Sequence, residues 1–303
     1  MSLDMKKTIA LKVDVDTERG TRIGVPNLQR LFDQHGIAAT FLFSMGPDNT
    51  GRAIRRVFRP GFFKKVSRTS ILSVYGIRTL LNGLLFPGPH IGRRHGALMR
   101  AVAAGGHEIG VHCYDHVAWQ DKLPHWSEAR TRQEVNKAVE TFMDVFGYRP
   151  FTMGSAGWQA NKASLSAYEE YSLSYASDTR GTKAFFPIIN HRHFTTLQIP
   201  TTLPTLDELI GRPEYPFDNL IAHYHQLIEQ QSLNVLTVHA ELEGIAFLDW
   251  FKQFIGESIA NDIHFIPMIT LANTLMENKN EIPQLELTQG MVDGRSGTLA
   301  MHK

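Results

Sequence analysis

Short apolar runs that end in a titratable residue recur along this chain, and that recurrence restricts the fold more than any single motif. The run over 9–16 ends in Asp14-Val15-Asp16, and 105–111 leads into His112. The run over 173–177 meets Asp178, and 234–238 meets His239. A further buried run over 37–43 reads as a strand, as do 151–153, 197–199 and 264–267. Between them lie segments with helical spacing: Leu28, Leu31 and Phe32 up to Gly36, then Leu98, Ala101 and Val102 up to Gly105. Ser127 is placed to cap a helix carrying Val135, Ala138, Val139, Phe142 and Val145, which Gly147 stops, and Asn161 to cap the next. Two more helices are expected over 218–230 and 247–259. Strands alternating with helices predict an α/β fold, a distorted (β/α) barrel of about seven strands. In such barrels chemistry collects at the C-terminal ends of the strands, where these acids and histidines fall. A doubly wound open sheet competes, but no G-x-G-x-x-G follows the first strand.

His112 and His116 are four residues apart across a strand end and the turn after it. Two imidazoles brought together there suit a divalent metal such as zinc, cobalt or manganese, and a carboxylate is expected to complete the set. Asp14 and Asp16 can supply it, and being two apart on a strand they share a face. Cys113 alternates away from His112 and is expected to be buried.

At 303 residues, 43% hydrophobic and 20% charged, the chain can bury a full core. Its single cysteine excludes an intrachain disulfide and favours a reducing compartment. The first residues lack the apolar core of a signal peptide, and no apolar run is long enough to span a bilayer. These features predict a cytoplasmic protein. The expected organisation is one barrel over 1–276, with an insertion at 47–94, and a polar, loosely ordered tail over 277–303.

The net charge of +1 conceals an asymmetry. Between Pro47 and Arg94 ten basic residues face the single acid Asp48, so the insertion carries +9 and the rest −8. Mixed with those cations are Ile54, Val57, Phe58, Phe62, Phe63, Ile71, Leu72, Tyr75, Ile77, Leu80, Leu81, Leu84, Leu85 and Phe86. Cationic and strongly apolar together predicts contact with an anionic membrane surface. No nucleic-acid partner is expected, because aliphatic side chains outnumber stacking ones and no nucleic-acid motif accompanies the charge.

Taken in order, these motifs resemble the polysaccharide deacetylase family, the NodB-type carbohydrate esterases, from about residue 9 to 270. Asp14-Val15-Asp16 matches the first motif, His112 and His116 the second, and Leu236-Thr237-Val238-His239 the last. The resemblance implies that Asp16, His112 and His116 bind a divalent metal, that Asp14 is the general base, and that His239 is the general acid. It further implies metal-dependent amide hydrolysis, with backbone N–H groups near 154–157 holding the oxyanion. Asp178 is then placed to orient His239. Within the family, Ala156-Gly157-Trp158, the stretch 198–205 and Val238-His-Ala-Glu241-Leu-Glu-Gly244 are similar to a deformylase of lipid A aminoarabinose modification. That likeness implies an undecaprenyl-phosphate-linked formamido sugar as partner and a place at the cytoplasmic face of the inner membrane. An N-deacetylase for another acylated sugar, or a membrane-binding module with a dead site, are the rivals. Many relatives carry an Arg in the third motif that pairs with the catalytic Asp, where this chain has Gly154-Ser155-Ala156-Gly157-Trp158. Arg180, just after Asp178, is the expected replacement. Trp158, Arg19 and Glu241 complete the candidate supporting residues.

Overall fold

The computed structural model describes residues 4–53, 76 and 79–303. Among these, twelve strands follow in chain order: β1 (Thr8–Val15), β2 (Thr40–Ser44), β3 (Glu108–Cys113), β4 (Thr152–Met153), β5 (Tyr175–Ala176), β6 (Phe186–Ile189), β7 (Arg192–His193), β8 (Leu197–Gln198), β9 (Asn234–His239), β10 (His264–Ile266), β11 (Gln284–Gly290) and β12 (Leu299–His302). Eight of them make one sheet in the order β10-β1-β2-β3-β4-β5-β8, with β9 also on β1. Every pairing in it is parallel, the pattern of a distorted (β/α) barrel.

All eight residues of β1 are buried, which requires cover on both faces. Leu11, Val13 and Val15 join the main core with Phe41, Phe43, Leu28, Phe32, Val135 and Phe142. Lys12 and Asp14 alternate onto the opposite, interior face. Helices close the outside where capping chemistry allows. Val25–His35 has Pro26 in its first turn and ends at Gly36 in the left-handed region (φ 62°). Glu128–Phe146 starts at Ser127, whose side chain accepts from the Arg130 N–H, and ends at Gly147 (φ 78°). Lys162–Glu170 begins with a reciprocal capping box between Asn161 and Ser164.

The stretch over 277–303 departs from the loose tail expected of it. Strand β11 pairs with β6 in parallel and with β12 in antiparallel register, and with β7 these form a second, four-stranded sheet. Leu299 and Ala300 are buried, and the Arg180 N–H donates to the Ala300 carbonyl at 2.9 Å, so this sheet is tied to the barrel.

Only the two ends of the insertion are described. Pro47 and His90 pair as a bridge, and the Asn82 amide donates to Asp48 Oδ2 at 3.2 Å. The turn they support carries Leu84, Leu85 and Phe86 at 43%, 72% and 59% exposure. Residues 54–75, 77 and 78, with most of the expected lipid-facing aromatics, lie outside the described residues. Among the described residues no helix is long and apolar enough to cross a membrane.

Candidate metal and catalytic site

Parallel pairing brings the strand ends together. Asp14 on β1 sits in register with His239 on β9, and β2 separates β1 from β3, which ends one residue beyond His112. Asp16 follows β1 directly. His116 opens the helix His116–Lys122, whose N-terminus is capped by the Asp115 carboxylate on the Ala118 N–H. That cap turns the chain so that the two imidazoles stack, with ring centroids 5.3 Å apart.

Among the described residues, Asp16, His112 and His116 have donor atoms within 4.8 Å of one another. Asp16 Oδ1 lies 3.2 Å from His112 Nε2, and Oδ2 lies 3.3 Å from His116 Nε2. These are the separations that ligands to one ion adopt when each bond is about 2.0–2.2 Å. Asp16 Oδ1 is buried and accepts no aligned hydrogen bond from the protein, so its lone pairs are left for an ion. His112 Nδ1 donates to the Gly154 carbonyl at 2.6 Å, which fixes the proton there and leaves the Nε2 lone pair toward Asp16. An oxygen and two imidazole nitrogens thus fit a divalent metal.

The electrostatics agree with that geometry. Burial alone would raise the Asp16 carboxyl, but the His116 and His112 rings outweigh it and hold it well below the usual range. Burial opposes charge on His112, yet Asp14 and Asp16 raise its pKa overall. Behind Asp16, Glu241 is pushed well up by burial and by the Asp16 charge. Its Oε1 accepts from the Thr17 N–H (2.9 Å) and hydroxyl (2.6 Å), which pins the turn leaving β1.

The cation beside Asp14 is Lys12. Its Nζ lies 3.6 Å from Asp14 Oδ2 and donates to the Ser177 carbonyl at 3.2 Å, with both side chains almost wholly buried. Arg180 does not take that place. All of its donor nitrogens are engaged, with Glu208 Oε1 at 2.5 Å and with the Thr201 and Leu203 carbonyls. Asp178 also departs from expectation: its carboxylate accepts from the Ser155 N–H (2.7 Å) and the Gln198 amide (2.9 Å), not from His239. Burial raises its pKa despite those bonds. His239 instead has its backbone N–H on Glu243 Oε2 at 2.7 Å, and its Nδ1 is buried without a hydrogen-bond partner. Within 154–157 the Gly154 and Ser155 N–H groups are engaged by Val111 and Asp178, which leaves the end at Gly157 facing the cavity.

Asp14, Asp16, His112, His116 and His239 line a cavity of about 100 Å³ together with Gln120, Gly157, Trp158, Asp207, Leu242 and Arg295. Trp158 adopts a left-handed backbone (φ 51°), a strained conformation held by its indole N–H on Thr201 Oγ1 at 3.0 Å. The Arg295 guanidinium lies over its ring at 4.1 Å, and the residue lines the cavity beside it. Arg19 does not line the cavity and lies beside Gly76 of the insertion. Cys113 is buried against Ser44, 3.6 Å away, and is no part of the donor set.

A family model described as polysaccharide deacetylase matches residues 4–176, more than half of the chain. The chain belongs to the polysaccharide deacetylase family. It is 38% identical over 300 residues to a Shewanella sediminis protein named "Probable 4-deoxy-4-formamido-L-arabinose-phosphoundecaprenol deformylase ArnD", covering 99% of this chain and 96% of the relative. A Wigglesworthia glossinidia brevipalpis protein of the same name is 32% identical, covering 93% and 97%. Among solved structures, a Mycobacterium smegmatis protein described as a polysaccharide deacetylase superposes with a TM-score of 0.65 at 17% identity, covering 96% and 97%, which speaks to the fold alone.

Sequence reasoning missed Lys12, Asp207, Glu243 and Arg295. Lys12 carried a usable sign, since a lysine two residues before Asp14 in a fully apolar strand must share the inward face. Arg295 carried none.

Proposed function

We propose that this protein is a metal-dependent deformylase acting on 4-deoxy-4-formamido-L-arabinose carried on undecaprenyl phosphate, with formate and the free amino sugar lipid as products. One observation carries the reading: Asp14 and His239, paired on adjacent strands, open into the same small cavity as the Asp16–His112–His116 donor set. The two relatives named as deformylases span nearly the whole chain and support the substrate class.

Asp16, His112 and His116 would hold the metal, with zinc, cobalt and manganese all suited to that donor set. When bound, such an ion polarises the formyl carbonyl and acidifies water. Asp14 takes the proton of the attacking water, and Lys12 holds its carboxylate in place. The water oxygen bonds to the formyl carbon, and the carbon–nitrogen bond then breaks. His239 gives a proton to the departing sugar nitrogen, so the product leaves as a neutral amine. The backbone at Gly157 is placed to donate to the oxyanion.

The exposed turn at Leu84, Leu85 and Phe86 and the basic insertion support a position against an anionic bilayer, where the lipid-linked substrate resides. This reading places the protein at the cytoplasmic face of the inner membrane, in aminoarabinose modification of lipid A.

The test is formate release from formamido-arabinosyl phosphoundecaprenol by metal-stripped protein, then after cobalt, manganese or zinc is restored. Formate release that requires the metal is expected. Activity only on an N-acetyl sugar would overturn the substrate, and activity that ignores the metal would overturn the mechanism.

A further inference from the structure

The segment between β11 and β12 reaches across the barrel mouth and places Arg295 in the cavity wall. The guanidinium is held from several sides. Its Nε donates to Glu208 Oε1 at 2.5 Å, and Nη2 donates to Thr205 Oγ1 at 3.2 Å and to Asp207 Oδ1 at 3.3 Å. Its plane lies 4.1 Å from the Trp158 ring centroid. Glu208, 1% exposed, also accepts from Arg180, so two guanidiniums pack against the Asp207 and Glu208 carboxylates. Among the described residues Nη1 of Arg295 makes no hydrogen bond, and Asp207 lines the cavity beside it.

A rigid donor next to a carboxylate acceptor matches adjacent hydroxyls better than the anionic phosphodiester of the substrate. A hydroxyl accepts from the guanidinium and donates to the carboxylate, whereas a phosphate would be repelled by Asp207. We propose that Arg295 and Asp207 form a subsite that reads the ring hydroxyls of the sugar, so that the C-terminal segment sets substrate specificity. This rests on the function proposed above.

The experiment pairs variants with substrate analogues. Formate release is measured for wild type, Arg295→Met, Arg295→Lys and Asp207→Asn on the complete lipid-linked sugar, on its 2-deoxy and 3-deoxy analogues, and on N-methylformamide. Arg295→Met should lower kcat/KM about 10- to 100-fold on the complete substrate, mostly through KM. Removing a hydroxyl should cost wild type a similar factor and cost the variant little more, while on N-methylformamide the variant's loss should be several-fold smaller than on the complete substrate. Equal fractional losses on every substrate would mean a merely structural role and overturn the proposal. Coupling to the phosphate and not to a hydroxyl would overturn it too. Arg295→Lys and Asp207→Asn keep the test open if Arg295→Met does not fold. If wild type releases no formate, the deformylase reading fails by itself. Calorimetric binding of 4-amino-4-deoxy-L-arabinose 1-phosphate to wild type and Arg295→Lys then decides the subsite, and equal affinities would overturn it.

Discussion

Lys12 and Asp14 form a buried ion pair within one strand, Nζ to Oδ2 at 3.6 Å, on the face of β1 that looks into the barrel. Two residues apart, they share one face of a strand whose register is fixed by pairing with both β2 and β9. Burial lowers the Lys12 pKa, and the Asp14 charge opposes that loss. Lys12→Met should therefore strand a buried carboxylate, costing about 3–5 kcal/mol in urea unfolding and most of the turnover. Lys12→Arg should restore a large part of kcat. Equal rates for Lys12→Met and wild type would show that the pair is not used.

Asp14→Asn tests the base role proposed for Asp14 apart from the ligand role proposed for Asp16. Turnover should fall about 10²- to 10⁴-fold while metal content, read by elemental analysis, stays at the wild-type level. Asp16→Asn should show the reverse emphasis, with metal lost first. If Asp14→Asn loses metal as well, Asp14 is a ligand and the roles must be redrawn.

The pH dependence of stability should carry the mark of Glu243. Burial pushes its carboxyl from the ordinary 4.5 up to about 8, so the folded protein holds a proton that the unfolded chain releases. Its contribution is fully present below about 4.5 and is lost as pH rises through about 8. Thermal unfolding between those limits should show a midpoint that declines with pH, and Glu243→Gln should flatten the decline. An unchanged slope in the variant would assign the effect elsewhere.

Glu208 accepts from both Arg180 and Arg295 while almost fully buried. Glu208→Ala leaves two guanidiniums without that partner and should destabilise the protein by about 3–5 kcal/mol, measured by urea unfolding. A loss below about 1 kcal/mol would mean that the cluster rearranges around the gap.

Leu84, Leu85 and Phe86 are exposed, so replacing all three with Ser should leave the unfolding midpoint within a degree or two. Flotation with vesicles containing anionic lipid should nevertheless drop several-fold. Undiminished flotation would place the lipid contact elsewhere or remove it.

Much of the barrel was legible because its signals are local. Mostly buried runs over 9–16, 37–43 and 234–239, Gly36 and Gly147 as stops, and Ser127 and Asn161 as caps each act within a turn or two. The convergence of Asp16, His112 and His116 could be read because parallel strands deliver their ends to one rim. The second sheet could not, because β11 alternates exposed with half-buried residues and makes its cross-strand partners with β6, about a hundred residues earlier. Arg180 and Asp178 were assigned to the wrong neighbours for a related reason. Proximity in sequence to a motif says nothing about which buried groups compete for their hydrogen bonds, and Glu208, Ser155 and Gln198 won that competition.

The cavity wall at Arg295 is translated after every strand of the barrel. A barrel without its second sheet would still carry Asp16, His112, His116 and His239 on or beside β1, β3 and β9, while its mouth lacks one side. On the subsite proposed for Arg295, such a shortened chain would keep the acids and imidazoles of hydrolysis and lose its discrimination between sugars.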